Sequence, residues 1–179
     1  LRLHTKSPFQ YTTVGLRHWR AMKEMEIALA MSPGNMHQAV LMAFPVSIVG
    51  YEYIKTPHDP CIIHMISCPY GETIGAPALE QYREARYKML GLQFEDYEEE
   101  IRAHFKGMLP KELFDFDRDV ESITVNRWAH GFTVGGPEGS VKKGRQPFGR
   151  ITIANCDSAP GADAKTAIDM ASRAVKELG

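Results

Sequence analysis

Two helical patterns stand almost back to back in the middle of this sequence, with strand patterns on both sides. Over residues 78–90, Ala78, Tyr82, Ala85 and Met89 recur at helical spacing. Over 94–109, Phe94, Tyr97, Ile101, Phe105 and Met108 do the same. Gly91 sits between the two stripes. Upstream, residues 38–49 and 50–54 have strand composition, with Pro45 marking a bend or an edge. The run Cys61–Cys68 is rich in β-branched residues, lies between Pro60 and Pro69, and is too short for an ordinary helix. Downstream, residues 121–128 alternate as a strand. Segregated strands and helices predict an α+β arrangement.

Turn chemistry divides the rest. Residues 11–14 read as extended and the stretch from Gly15 to Met22 as helical. Ser32-Pro33-Gly34-Asn35 is a break, and Thr56–Pro60 is a turn that predicts a hairpin of 46–54 with 61–68. A Gly/Pro stretch runs from Pro69 to Pro77. Residues 131–149 hold six glycines and two prolines, which predicts a long loop. The tail reads as an α/β unit: a strand over 149–155, a turn over 156–162, and a helix over 164–178 with Asp163 as N-cap. Ala164, Ala167, Ile168, Ala171, Ala174 and Val175 form its apolar stripe. So small a stripe suits close packing on a sheet or a flat ligand.

Composition bounds the function classes. The 179 residues suffice for one domain or for part of a larger protein. Lys and Arg number 21 against 22 Asp and Glu, for a net charge of -1, which lacks the basic footprint of a general nucleic-acid binder. No apolar run approaches the ~20 residues that span a bilayer. The three cysteines include no Cys-x-x-Cys pair, so a disulfide framework is not expected. The chain begins Leu-Arg-Leu-His rather than with Met, which suggests a processed chain or a fragment whose partner sequence lies upstream.

Several residues invite a chemical reading. Cys61, His64 and Cys68 resemble metal ligands, but along a strand Cys61 points opposite to the other two. His64 and Cys68 then lie about 13 Å apart at ~3.3 Å per residue, so core packing is the expected role. No metal site is predicted. His104 shares the apolar face of its helix and reads as a core histidine, and Glu98-Glu99-Glu100 as that helix's solvated face. The basic cluster Lys142-Lys143-Gly144-Arg145 reads as a solvated loop tip, with contact to an anionic ligand as the sharper alternative; it is not a P-loop. Lys165 stands in the first turn of the last helix, where the dipole disfavours a cation and an anion would relieve the conflict.

Four segments then carry a resemblance: Val14-Gly-Leu-Arg-His-Trp-Arg-Ala, Phe44-Pro-Val-Ser-Ile-Val-Gly-Tyr, Ile123-Thr-Val-Asn-Arg-Trp-Ala-His-Gly-Phe132, and the tail from Phe148-Gly-Arg-Ile-Thr-Ile-Ala-Asn-Cys-Asp157 through Thr166 to Leu178. Together they resemble the C-terminal portion of flavin-containing amine oxidoreductases, most closely the bacterial spermidine dehydrogenase-like proteins. The resemblance implies the C-terminal part of a two-lobed FAD-dependent amine oxidase fold. Residues 1–128 would be mainly substrate-lobe strands and helices, 129–149 a Gly-rich loop, and 150–179 the closing strand and helix of the FAD lobe. The Gly-x-Gly-x-x-Gly fingerprint of that superfamily is absent from this sequence, so an upstream chain would carry it.

The implied reaction oxidises a C–H bond next to an amine nitrogen, with hydride passing to flavin. The implied cofactor is FAD, with haem b besides in some members; His18, His58, His64, His104 and His130 are then equivalent as candidate axial ligands. Trp128, His130 and Phe132 would line the substrate pocket, where an apolar environment favours the neutral amine and aromatic faces suit the remaining cationic nitrogens. Trp19 reads as core. Asn155, Asp157, Ala164, Lys165, Thr166 and Ala167 would face the cofactor. No residue is assigned to the chemical step. The alternatives are a non-catalytic structural or regulatory subunit that keeps the oxidase shape, and a flavin oxidoreductase acting on a different amine or an amino acid.

Overall fold

The computed structural model describes residues 6–43, 49–50, 54–134, 139–159 and 161–178. The chain is α+β. In order it forms β1 (Lys6–Leu16), α1 (Arg20–Glu24), β2 (Leu29–Met31), β3 (Ala39–Met42), β4 (Cys61–Ser67), α2 (Ala78–Gly91), α3 (Phe94–Met108), α4 (Phe116–Asp119), β5 (Val120–Thr133), α5 (Ser140–Gly144), a 3-10 turn at Cys156–Ser158, and α6 (Ala164–Lys176). The strands make one sheet in the order β2-β3-β4-β1-β5, and the β1·β4, β3·β4 and β2·β3 pairs are antiparallel. No helix among the described residues is long and apolar enough to cross a membrane.

The chain divides into two compact units. One is Phe9–Pro69 with Tyr87–Arg127; the other is Leu1–Pro8 with Tyr70–Arg86 and Trp128–Gly179. The sequence reading divides the chain at 128 and 149 instead, and assigns 70–86 to the first part. The contacts group 70–86 with the tail.

In the first unit, the period-2 alternation of the strands decides the core. Gln10, Thr12, Val14 and Leu16 of β1 point to the buried face, opposite Ser67, Met65, Ile63 and Cys61 of β4. Val40 and Met42 of β3 continue that face, and the core they form includes Tyr97, Ile101 and Phe105 of α3. The predicted helix at Gly15 is corrected: β1 runs through Leu16, because Gly15 and Leu16 pair with Ile62 and Cys61. A Cβ on Gly15 would sit 2.5 Å from Ser122 Oγ, so this position suits a residue without one. The helix begins only at Arg20. The predicted strand over 46–54 lies mostly outside the described residues; β4 has β1 and β3 as its neighbours. The turn at 56–60 is held by the Asp59 carboxylate, which accepts from the backbone N–H groups of Lys55 and Thr56 at 2.9 and 2.7 Å.

The helix α3 forms where the apolar spacing puts it. Its first turn is capped by the Asp96 carboxylate, which accepts from the Gln93 backbone N–H at 2.8 Å. Pro110 follows Leu109 and stops continuation. Tyr97 is buried with its hydroxyl donating to Met89 O at 2.7 Å, which satisfies the one polar atom its burial would strand. Ile101 is 0% exposed. Shortening it to Val removes one methylene from a close-packed site, so Ile101→Val should cost about 1 kcal/mol, measured as a shift of the urea midpoint without a change in slope.

In the second unit, α6 starts as expected at Asp163, whose carboxylate accepts from Thr166 N–H at 2.8 Å. Three expectations need correction. The strand over 149–155 is absent; only an isolated bridge joins Phe148 and Ile151, because no neighbouring strand among the described residues extends a ladder along it. The apolar stripe of α6 is not covered: Ala174 is buried, but Ile168 and Val175 are 68% and 70% exposed. The loop of 131–149 is shorter than predicted, since β5 continues to Thr133 and Ser140–Gly144 is helical; residues 135–138 lie outside the described set.

Candidate functional site

The sheet's buried face changes character at one end. Val14 and Leu16 are apolar, but Gln10 and Thr12, on the same face of β1, are polar and 1% and 0% exposed. Such a pair needs hydrogen-bonding partners. His37, in the connection between β2 and β3, supplies them. Its ring Nε2 lies 2.8 Å from Thr12 Oγ1 and 2.7 Å from Gln10 Nε2. Its Nδ1 lies 2.6 Å from Glu100 Oε2, and its backbone N–H reaches Glu100 Oε1 at 3.4 Å. His37 is itself 0% exposed. With Gln10 and Thr12 donating to Nε2, the proton sits on Nδ1 and is donated to the carboxylate.

Glu100 projects from α3 four residues before His104, so the two share a helix face. His104 Nδ1 lies 3.7 Å from Glu100 Oε1, too long for a hydrogen bond. The other ring nitrogen of His104 lies 3.0 Å from Ser32 Oγ. His104 Nδ1 is buried with no hydrogen-bond partner. Burial pushes the Glu100 carboxyl up, but the His104 and His37 rings beside it outweigh that and hold it at about 2. A cleft of about 650 Å³ opens beside the cluster, lined among others by Ser32, Asn35, Glu100 and His104.

The acidic run 98–100 is therefore not uniformly solvated: Glu99 is exposed, whereas Glu100 turns inward. His104 is a buried residue of α3, bonded through one nitrogen only. His37 was not singled out in the sequence, and its turn-rich surroundings carry no periodic signal; the Glu-x-x-x-His spacing beside an apolar stripe is the one pattern that points here. The set Thr12, His37, Glu100 also has the connectivity of a nucleophile, base and orienting acid. Thr12 is 0% exposed and lies inside the core, so no substrate carbonyl can reach it, and the hydrolase reading fails on access.

The structure keeps Cys61, His64 and Cys68 apart as ligands. Cys61 is buried and His64 faces the other side of β4, with its ring 4.8 Å from that of Tyr11. Burial pushes the Cys61 thiol up to about 12, so it stays protonated and inert. His18 pairs with the buried Asp119 at 3.2 Å.

In the second unit, Trp128, His130 and Phe132 occupy alternate positions of β5 and so share a face. Trp128 and His130 are exposed and Phe132 is half-buried. Arg86 approaches His130 Nδ1 at 3.3 Å and donates to Ala129 O at 2.7 Å. Burial, with Arg86 and Lys6 adding to it, pushes the His130 ring below its ordinary pKa.

Of the six tail residues expected at a cofactor, Asn155, Asp157, Lys165 and Thr166 have side-chain partners within the chain. Asn155 Oδ1 accepts from Ser158 N–H at 3.1 Å. Asp157 accepts from Thr133 Oγ1 at 2.5 Å and pairs with Lys6. Lys165 pairs with Asp169 at 2.6 Å. Thr166 is bonded to Asp163 through both backbone N–H and hydroxyl, and Ala164 and Ala167 flank it on the first turn of α6. The carboxylate of Asp163 thus caps the first turn of α6.

No protein-family model matches this sequence, and no curated protein matches it.

Proposed function

We propose that this chain is part of an FAD-dependent amine dehydrogenase of the polyamine-oxidising kind, in which the dinucleotide is held by a stretch carrying the Gly-x-Gly-x-x-Gly fingerprint that this sequence lacks. The observation that carries the reading is the tail: α6 exposes Ile168 and Val175, and among the described residues the alternating segment Gly149–Asn155 has only an isolated bridge and no strand beside it. A strand sequence without a ladder and an amphipathic helix without cover together suit the closing edge of a larger sheet. The four-segment resemblance names that sheet as the FAD lobe.

This chain's own part in such an enzyme is the face of Trp128, His130 and Phe132. The Arg86 cation beside this face disfavours a second positive charge close to it and so favours the neutral form of an arriving amine, the form that amine oxidation needs, while the aromatic rings suit the more distant cationic nitrogens. A non-catalytic subunit of the same shape is the competing reading.

The test is the native protein that contains this chain. Purified without denaturant, it should carry an oxidised-flavin absorption band that spermidine or a related amine bleaches anaerobically. Flavin absent, and no fingerprint-bearing stretch in the purified protein, overturns the proposal. Flavin present but unbleached by any amine supports the non-catalytic or different-substrate reading instead.

A further inference from the structure

The geometry points to a divalent-metal site at His37, Glu100 and His104, with zinc as its fitting ion and with the fourth coordination position open to the adjoining cleft. Each residue offers one ligand atom, and the three atoms lie within 4.8 Å of one another. Ligands around a common zinc at about 2.0–2.2 Å stand some 3–4 Å apart, so side-chain adjustments of about an ångström close the site.

Three features go beyond the coincidence of residue types. First, His104 Nδ1 is buried and has no hydrogen-bond partner, yet it faces Glu100 across 3.7 Å. A polar atom stranded in that way costs stability unless something fills the gap. His18 and His64 also carry an unpartnered Nδ1. Among the described residues, however, only the group around His104 brings together three potential ligands. Second, each ring is held from behind by a hydroxyl. Ser32 Oγ lies 3.0 Å from His104 Nε2, and Thr12 Oγ1 lies 2.8 Å from His37 Nε2. A ligating histidine needs that kind of partner on its other nitrogen to fix tautomer and ring plane. Third, the cleft lined by Ser32, Asn35, Glu100 and His104 provides an entry path and room for a water as fourth ligand. Two imidazoles and one carboxylate, with a free position, is a donor set of catalytic zinc sites.

Binding requires one proton to move. In the metal-free protein, Nδ1–H of His37 donates to Glu100. To ligate, Nδ1 must give up that proton and expose its lone pair. The proton reappears on Nε2, which then donates to Thr12 Oγ1, while Gln10 turns its amide oxygen to the ring. His104 needs no such change when its Nε2–H donates to Ser32. The tautomer shift of His37 is internal, so the charge of the site rises from −1 to +1 on zinc binding, and a bound water that ionises there lowers it again.

The full chain, stripped of metal with a chelator, should bind zinc in calorimetry with a stoichiometry of one. Cobalt(II) at the same site should give the visible d–d bands of a four- or five-coordinate nitrogen/oxygen sphere. His104→Ala, and separately the isosteric Glu100→Gln, should each weaken zinc by about 100-fold or more and abolish the cobalt bands. Far-ultraviolet circular dichroism checks that each variant folds, and Glu100→Gln keeps the test alive should His104→Ala fail to fold. Zinc affinity unchanged in a folded Glu100→Gln variant overturns the proposal. So does a thiolate-to-cobalt charge-transfer band, which would place the ion on Cys61, Cys68 or Cys156, and so does the absence of zinc binding by the folded wild-type chain.

Discussion

Chelator-treated Glu100→Ala should unfold with a free energy about 3 kcal/mol lower than wild type at neutral pH, and its stability should lose the acid dependence that Glu100 confers. Glu100 holds a carboxyl at about 2 against an ordinary 4.5, and at ~1.36 kcal/mol per pKa unit this difference amounts to about 3 kcal/mol. Its side chain is 19% exposed, so solvent screens the pair little. The sign follows from the direction. A depressed carboxyl binds fewer protons folded than unfolded, so its contribution is complete above about 4.5 and is lost as the pH falls toward 2. A second route gives a similar size: without the carboxylate, His37 keeps a buried Nδ1–H with no acceptor, a loss of about 1–3 kcal/mol. Urea unfolding of both proteins from pH 7 to pH 3 checks it. Two stability curves that stay parallel through that range would mean that Glu100 is not the group titrating.

How much of this was legible in the sequence differs sharply between elements. Tyr97, Ile101 and Phe105 recur at helical spacing, and all three are buried in the structure, because the period of a helix and the direction of its core are the same information. The strand Cys61–Ser67 was legible for a similar reason: β-branched residues between two prolines leave few other conformations. Gly15 and Leu16 misled, because their pairing with β4 depends on residues more than forty positions away, and tertiary pairing overrode the local pattern. The tail misled in the opposite sense. Gly149–Asn155 has the alternation of a strand, but alternation says only which side chains would share a face; a ladder needs a neighbour.

The candidate metal cluster was barely legible at all. His104 was visible as a histidine on an apolar stripe, but its meaning depends on His37, which lies in a turn-rich connection and approaches α3 from 63 residues away in sequence. Glu100 sat inside a run of three acids, and helix geometry turns only one of them toward the core. Gln10 and Thr12 were the overlooked signal. Two polar residues on a strand face that otherwise reads Val14, Leu16 demand a buried partner, and a nearby histidine is the side chain that can both donate and accept.

Ile168→Asp combined with Val175→Asp should empty the native protein of flavin while leaving the fold of Phe9–Pro69 with Tyr87–Arg127 intact. Both side chains project from α6 at 68% and 70% exposure, so on this chain alone the charges meet water and change little. On the closing edge of an FAD lobe they would be buried. Covering an Ile and a Val contributes roughly 1.5–3 kcal/mol each, so losing both weakens the association by about 3 kcal/mol or more, close to 100-fold or beyond, before the desolvation of two carboxylates is added. The flavin-to-protein absorbance ratio of the assembled protein reads the effect, and the unchanged urea midpoint of the sheet-and-α3 unit controls for general damage. The metal cluster supplies an internal contrast, since His37, Glu100 and His104 lie in the other unit: zinc binding should survive the double variant. A double variant that keeps full flavin occupancy would mean that the exposed face of α6 does not cover the cofactor lobe, and the amine dehydrogenase reading would lose its structural support.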